Sequence, residues 1–438
     1  MAISQALYTG VTGLSVNSDG MSVIANNIAN ANAKGFKKDR AEFEDMLSID
    51  MSTGTGSAQI GRGSRLADVR TIQSQGGLAV TDNLTDLAIQ GTGFFMIHNP
   101  MSGVQESAGK FYTRLGSFIF DKDGYLSDAS GGHVQGFMAN ESGKLSSRLQ
   151  DIHINTNSVA PNATTDLKMD VNLDARAKLI PGDFNIEKPE LTSNFNNTIT
   201  VFDSQGGSHQ LTTYFKRMDD TDGISWEWHA TVDGKDVTDA DGAKFKEVAS
   251  GVVKFDNKGK LLEQQVNNSE VNFAGGAAAG QVIKLDFGKP VSDGGNGAGN
   301  STSIAAKSVT NFHAQDGYES GNLKSLRIDL DGTIHGIYTN GSTRALGGVA
   351  LATFENQAGL MKAGRNQFYA TVTSGQPKVG MGQTGTRGSI YASSLEESNV
   401  DLAQEFVNMI MTQRGFQANS RSITTTDSMY EEVINLKR

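Results

Sequence analysis

Both ends of the chain repeat apolar residues every seven positions, and few folds accommodate that. Near the start, Leu7, Leu14, Met21 and Ile28 keep the spacing, with Val11, Ser18 and Ala25 at the intermediate positions. Near the end, Leu402, Met409, Phe416, Ile423 and Tyr430 keep it. A second seam holds Phe406 and Ile434 but also Gln413, Ser420 and Asp427. Such a pattern predicts coiled-coil helices over 4–31 and 399–436, rods of about 40 Å and 57 Å at 1.5 Å per residue. Ser398 with Asp401 three residues on gives a capping-box-like start for the second, with Ser394 and Glu397 as an alternative one turn earlier. Gly10, Gly13 and Gly20 interrupt the first, each at roughly 0.8–1 kcal/mol relative to alanine.

Everything between reads as β. Runs such as "FFMIHN", "SFIFDKDGYL", "TITVFDSQGGSHQLTTYF", "WEWHATVDG" and "LRIDLDGTIHGIYT" alternate apolar and polar residues. Asp123-Gly124, Asp233-Gly234 and Asp331-Gly332 are signals for two-residue hairpin turns, since Asp-Gly accepts positive φ. Glycine at 51 of 438 residues against only 6 prolines favours many tight turns over disorder. "AGGAAAGQ" and the stretch from Ser292 read as surface loops. Hairpin signals thin out over 146–192, which suggests a domain edge there.

Several chemistries are excluded or unsupported. The formal charge of −10 disfavours nucleic acid. The absence of cysteine removes disulfides, thiol nucleophiles and cysteine-ligated zinc. No apolar run is long enough to insert in a membrane, and the N-terminus lacks the basic and apolar regions of a cleaved secretory leader. Asp121-Lys-Asp123-Gly124 and Asp329-Leu-Asp331-Gly332 resemble the opening of a calcium loop, but glycine falls at the fourth position instead of the sixth. Turn geometry explains them better. No phosphate loop, nucleophile elbow or histidine spacing suited to a metal is present. No cofactor and no enzymatic activity are therefore expected. Trp226 and Trp228 share one strand face, either as packed core or as a sugar platform, and core is the simpler reading. The basic cluster Lys34, Lys37, Lys38 and Arg40 reads as a solvated stretch after a helix end.

The segment "ANNIANANAKGFKKDR" sets a puzzle. Asparagine is a mediocre helix former, yet four occur among the eight residues from Ala25. Helices this rich in glycine and asparagine are marginal alone. Either they order when many copies pack, with amides bonding between neighbouring helices, or they form an ordinary intramolecular hairpin with the amides in solvent.

Three stretches carry a resemblance. "NNIANANAKGFK", with Asn26, Asn27, Ile28, Asn30, Asn32, Gly35 and Phe36, resembles the N-terminal signature of the bacterial flagellar rod and hook protein family. "TDLAIQGTGFFMI", with Gly91, Gly93 and Phe94, resembles its second signature. "ESNVDLAQEFVNMIMTQRGFQANSRSITTTDSMYEEVINL" is similar to its C-terminal helix. Together with neighbouring matches they cover a little under half of the chain. The long insertion containing "NNTITVFDSQGGSHQLTTYFKR" is similar to the outer β-domain of the hook branch. Some spirochaete hook proteins cross-link through a cysteine as lysinoalanine, which this chain lacks.

The resemblance implies a mainly β, discontinuous multi-domain axial protein with α-helical coiled-coil termini. It implies terminal helices at 1–31 and 399–438, a connecting segment at 32–70 and 365–398, an inner β-domain at 71–145 and 319–364, and an outer β-domain at 146–318. It further implies a structural subunit of the hook, the curved hollow universal joint that transmits torque from motor rod to filament. Leu7, Val11, Leu14, Met21, Ile28, Leu402, Phe406, Met409, Phe416, Ile423, Tyr430 and Ile434 would form the polymerisation seams. Implied partners are other copies of the chain, the distal rod, the hook cap, the hook–filament junction proteins and the flagellar type III export apparatus, at an extracellular location. A distal rod or junction protein is the nearest competing reading, and an extracellular β-sandwich adhesin a more distant one.

Overall fold

A computed structural model describes residues 2–53, 56–99, 109–140, 143–154, 158–219, 223–240, 242–268, 270–295 and 301–435. Part of the loop expected from Ser292, and the helix end expected at Leu436, lie outside these residues. Two long helices occur, Ala2–Ala29 and Leu402–Asn435, and the chain between them is mostly strand. Neither is long and apolar enough to cross a membrane. The C-terminal helix starts three residues later than its sequence suggests. Asp401 is the N-cap: its Oδ1 accepts hydrogen bonds from the amides of Ala403 (2.9 Å) and Gln404 (3.2 Å), the second and third helical donors left open at any helix start. Ser398 accepts from Val400 one turn earlier.

The chain forms two compact units. The first comprises Met1–Asn155, Ser325–Gly336 and Thr343–Arg438; the second comprises Thr156–Lys324 and Ile337–Ser342.

In the first unit the strands Phe94–His98, Lys110–Thr113, His133–Ala139 and Gln367–Tyr369 belong to one large sheet. The strand "FFMIHN" does not alternate but is buried on both faces: Phe94 and Met96 meet Tyr112, Phe354 and Phe368 on one, and Phe95 packs edge to face on Phe118 on the other. The rings of the first face also meet edge to face, with centroids 4.8 Å apart for Tyr112 and Phe354 and 5.9 Å for Phe94 and Phe368, the geometry their quadrupoles favour. A long antiparallel arm, Asp39–Asp45 paired with Ser64–Thr71, follows the N-terminal helix. It lies against that helix, with Phe43 beside Gly20 and Gly63 beside Thr12.

The second unit is built on a five-stranded antiparallel meander, Phe195–Phe202, Ser208–Met218, Ile224–Asp233, Phe245–Phe255 and Leu261–Asn268. A three-stranded sheet accompanies it, in which Asp166–Asn172 runs parallel to Lys284–Asp286 and antiparallel to Val309–Gln315. Trp226 and Trp228 are both fully buried with Phe215 and Phe287. They are core, and no ring face is left for a sugar. Two of the three Asp-Gly pairs turn with positive φ, Gly124 at 87° and Gly332 at 89°. The third does not. Asp233 instead accepts from the Lys235 amide and caps a short 3-10 turn at Gly234–Asp236, so the strand returns only at Phe245. The Asp121 carboxylate accepts the amides of Asp123 and Tyr125, so it serves its own turn.

Candidate functional site: the terminal helix pair and its anchor

The two terminal helices pack antiparallel within one chain. Ile423 lies over Gly10, Asn419 over Gly13, Asn17 over Gly415 and Thr412 beside Gly20. Farther along, the Asn27 amide reaches Glu405 at 3.4 Å. On the C-terminal helix Glu405, Thr412, Gly415, Asn419 and Ile423 are thus among the contacting residues. Their spacing of three, four and seven marks a single helical face. Apart from Ile423, that face is polar or small, whereas a coiled-coil seam would be apolar at these positions.

The apolar residues lie elsewhere. Leu402, Phe406, Phe416, Tyr430 and Ile434 are 43–55% exposed, and so are Val407, Ile410, Met429 and Val433; Met409 is half-buried. On the N-terminal helix Val11 is exposed, while Leu7, Leu14, Met21 and Ile28 are half-buried. Of the residues expected in the C-terminal seams, Ile423 meets the partner helix and the others largely face outward. The heptad reading missed Val407, Ile410, Met429 and Val433, which fall outside its two registers. Large exposed apolar side chains clustered along one element mark an interaction surface.

The helices are tied to the β body by amides and by one buried ionic cluster. Asn27 accepts from the Asp39 amide through Oδ1 (2.9 Å) and donates to the Asp39 carbonyl through Nδ2 (2.8 Å), copying a strand's backbone pairing. Asn399 does the same work at the other end. Its Oδ1 accepts from the Lys38 amide (2.8 Å), and its Nδ2 donates to the Ile72 carbonyl (2.8 Å). Asn30 donates to the Asn26 carbonyl on its own helix, and Asn26 and Asn32 are exposed. The amides expected to bond between neighbouring helices of a bundle are thus used within the chain at Asn27 and Asn30.

The expectation for the basic cluster also changes. Lys37 is fully buried: its Nζ lies 2.5 Å from Glu396 Oε1 and donates to the Ser74 carbonyl at 2.8 Å. Arg114 approaches Glu396 Oε2 at 3.3 Å, donates to the Gly91 carbonyl, and lies over the Phe94 ring. The Gly76 amide donates to Glu396 Oε1 at 2.9 Å. Burial lowers the Lys37 pKa below the usual lysine value while Glu396 pulls it back up, and burial lowers that of Arg114 in the same way. Only Lys34, Lys38 and Arg40 retain solvent contact. Gly35 makes the close approach possible. Its φ is +67°, and a Cβ there would stand 2.7 Å from the Leu115 amide nitrogen. Phe36 is buried beneath the Lys362 ammonium. Gly91 and Gly93 take positive φ of 104° and 135°. Glu396, Arg114, Gly76 and Asn399 escaped the sequence reading, because nothing local links residues 282 to 361 positions apart.

Comparison with known proteins is consistent across the chain. Residues 7–37 match the model of the flagella basal body rod protein, 88–172 that of the flagellar hook protein FlgE/F/G D1 domain, 172–318 that of the flagellar basal body protein FlaE D2 domain, and 391–436 that of the flagellar basal body rod FlgEFG protein C-terminal region. The chain is 33% identical to the flagellar hook protein FlgE of Treponema pallidum, over 99% of this chain and 100% of that one. It is 34% identical to that of Borreliella burgdorferi over 99% of each, and 31% identical to that of Escherichia coli over the full length of both. In fold it is similar to the crystal structure of Helicobacter pylori flagellar hook protein FlgE2, with a TM-score of 0.53 at 16% identity, covering 73% of this chain and 100% of that one.

Proposed function

The chain belongs to the flagellar hook protein family, a structural and not an enzymatic family, and on that footing we propose that it polymerises through its terminal helices into the hook's curved tube. One observation carries this reading. The two helices meet each other largely through glycine, asparagine and threonine, with Ile423 and Glu405 beside them, and leave most of the larger apolar side chains of the C-terminal helix in solvent. A lone chain gains nothing from that arrangement, whereas copies packed side by side would bury those residues at roughly 1.5–3 kcal/mol each.

In this reading the helices form the inner layer around the export channel. Segments 32–70 and 365–398 connect them to an inner β-domain at 71–145 and 319–364, and an outer β-domain at 146–318 faces out. The seam residues, from Leu7 to Ile28 and from Leu402 to Ile434, contact neighbouring copies. The tube serves as an extracellular universal joint between distal rod and filament. It is extended beneath a cap by subunits delivered through the flagellar type III apparatus and meets the junction proteins at its end. Full-length similarity to hook proteins favours this over a distal rod, junction or adhesin role.

The test is seeded polymerisation followed by electron microscopy. Phe406→Asp and Phe416→Asp alter exposed residues, so the subunit should fold normally, yet tube growth from wild-type seeds should stop. Tubes of normal yield from either variant would remove the basis of the proposal.

A further inference from the structure

The two terminal helices carry one spacing in common: Gly13 and Asn17 on the first, Gly415 and Asn419 on the second, each pair four residues apart. Because the helices run antiparallel, each asparagine sits over the other helix's glycine. A Cβ at Gly13 would come within 2.6–2.8 Å of the Nδ2, Cγ and Oδ1 atoms of Asn419, and a Cβ at Gly415 within 2.7 Å of Asn17 Oδ1. Asn17 is held in place by its own helix, its Nδ2 donating to the Gly13 carbonyl at 2.6 Å. Ile423 fills the next notch, at Gly10, with a Cγ1 that would lie 2.7 Å from an added Cβ. A β-branched side chain has essentially one rotamer in a helix, so this neighbour yields little.

Glycine and asparagine are both poor choices inside a helix. Their placement where the helices touch calls for a pairwise explanation. We propose that this reciprocal glycine–asparagine interlock sets the register of the terminal helix pair, and so decides where the apolar residues of the two helices stand for the next copies of the chain. The inference rests on the assembly reading above. A face of small polar residues would otherwise tolerate sliding, as apolar seams do until a buried asparagine fixes them. A slip of one heptad, about 10 Å along the axis, sets Asn17 against Asn408 or Ser422 instead of a glycine. The interlock is lost in either direction.

Transposing one half of the interlock tests the idea. Gly13→Asn alone brings two amides into one notch, and Asn419→Gly alone leaves the notch empty. Each single variant should raise the subunit concentration left after seeded growth by about tenfold, an interaction loss of ordinary size for a contacting pair. The double variant restores an asparagine over a glycine, and should return to within about threefold of wild type. A register readout comes from the absence of native cysteine: Gly20→Cys with Thr412→Cys should cross-link in the full-length subunit, because those positions are adjacent only in this register. The cross-link should weaken in the single variants and recover in the double. Single variants that assemble and cross-link normally, or a double variant no better than its parents, would overturn the interlock. Normal tubes from Phe406→Asp would instead sink the assembly reading, so the two failures are told apart.

Discussion

Replacing Glu396 by glutamine should weaken the first unit selectively. Among the described residues its carboxylate is the one acidic group paired with both Lys37 and Arg114, and its side chain and that of Lys37 are wholly buried. In Glu396→Gln two buried cations would face an amide. Removing one partner of a buried ion pair costs about 3–5 kcal/mol. The lower end is expected here, because glutamine keeps an acceptor for the Gly76 amide and Arg114 keeps the Gly91 carbonyl. With a urea dependence of about 1–3 kcal/mol per molar, the unfolding midpoint should drop by about 1–3 M. The assay has a built-in control. Both tryptophans of the chain, Trp226 and Trp228, lie in the second unit. Tryptophan fluorescence should hold its midpoint while far-ultraviolet circular dichroism shows an early transition. Adding Lys37→Met should recover about half of the loss, as expected for directly coupled residues. A midpoint shift equivalent to less than about 0.5 kcal/mol, the range of ordinary surface changes, would refute the reasoning. So would an equal shift in both signals.

Acid should unfold the second unit through its turn carboxylates. Burial pushes the Asp203 pKa up, but hydrogen bonds from His209 and the Gly207 and Gln205 amides outweigh it. Asp316 is likewise lowered despite burial, by Thr165 and the Asp166 amide. Both carboxyls therefore sit below their unfolded value of about 3.9, so the unfolded chain binds more protons just below that pH, and stability present above it is lost as pH falls through the folded values. Fluorescence melts between about pH 5 and pH 2 should show this decline, and Asp316→Asn should flatten it; an unchanged slope would count against the assignment. Gly35→Ala forces a side chain into a left-handed conformation against the Leu115 backbone, and should cost the first unit about 2 kcal/mol or more. A dichroism midpoint equal to wild type would contradict that.

Much of this architecture was legible because it rests on local rules. Heptad spacing marked both helices, apolar β-forming residues marked "FFMIHN" as a strand, though one buried on both faces and not alternating, and Asp-Gly marked two of three turns. The failures have physical causes. Asp233-Gly234 looks like its siblings, but a 3-10 turn and a longer excursion satisfy the same backbone groups. Besides Ile423, the C-terminal helix contacts its partner through Glu405, Thr412, Gly415 and Asn419, residues an apolar pattern search assigns to solvent. Lys37 lies in a run of basic residues that looks solvated, and only its remote counter-charge makes burial tolerable. A sequence shows which residues favour an interior. It does not show which distant charge will arrive to neutralise one.

Glu396 and Asn399 come late in the chain, yet the groups they hold (Lys37, Lys38, Ile72, Gly76 and Arg114) come early. The second unit is inserted between them and is nearly continuous from Thr156 to Lys324. A chain emerging from its amino end can finish the inserted unit while the host unit still waits for its last fastening. Contacts of such long sequence separation form slowly. The order of completion thus runs from the middle outward, and the two chain ends settle last, when the whole polypeptide has arrived.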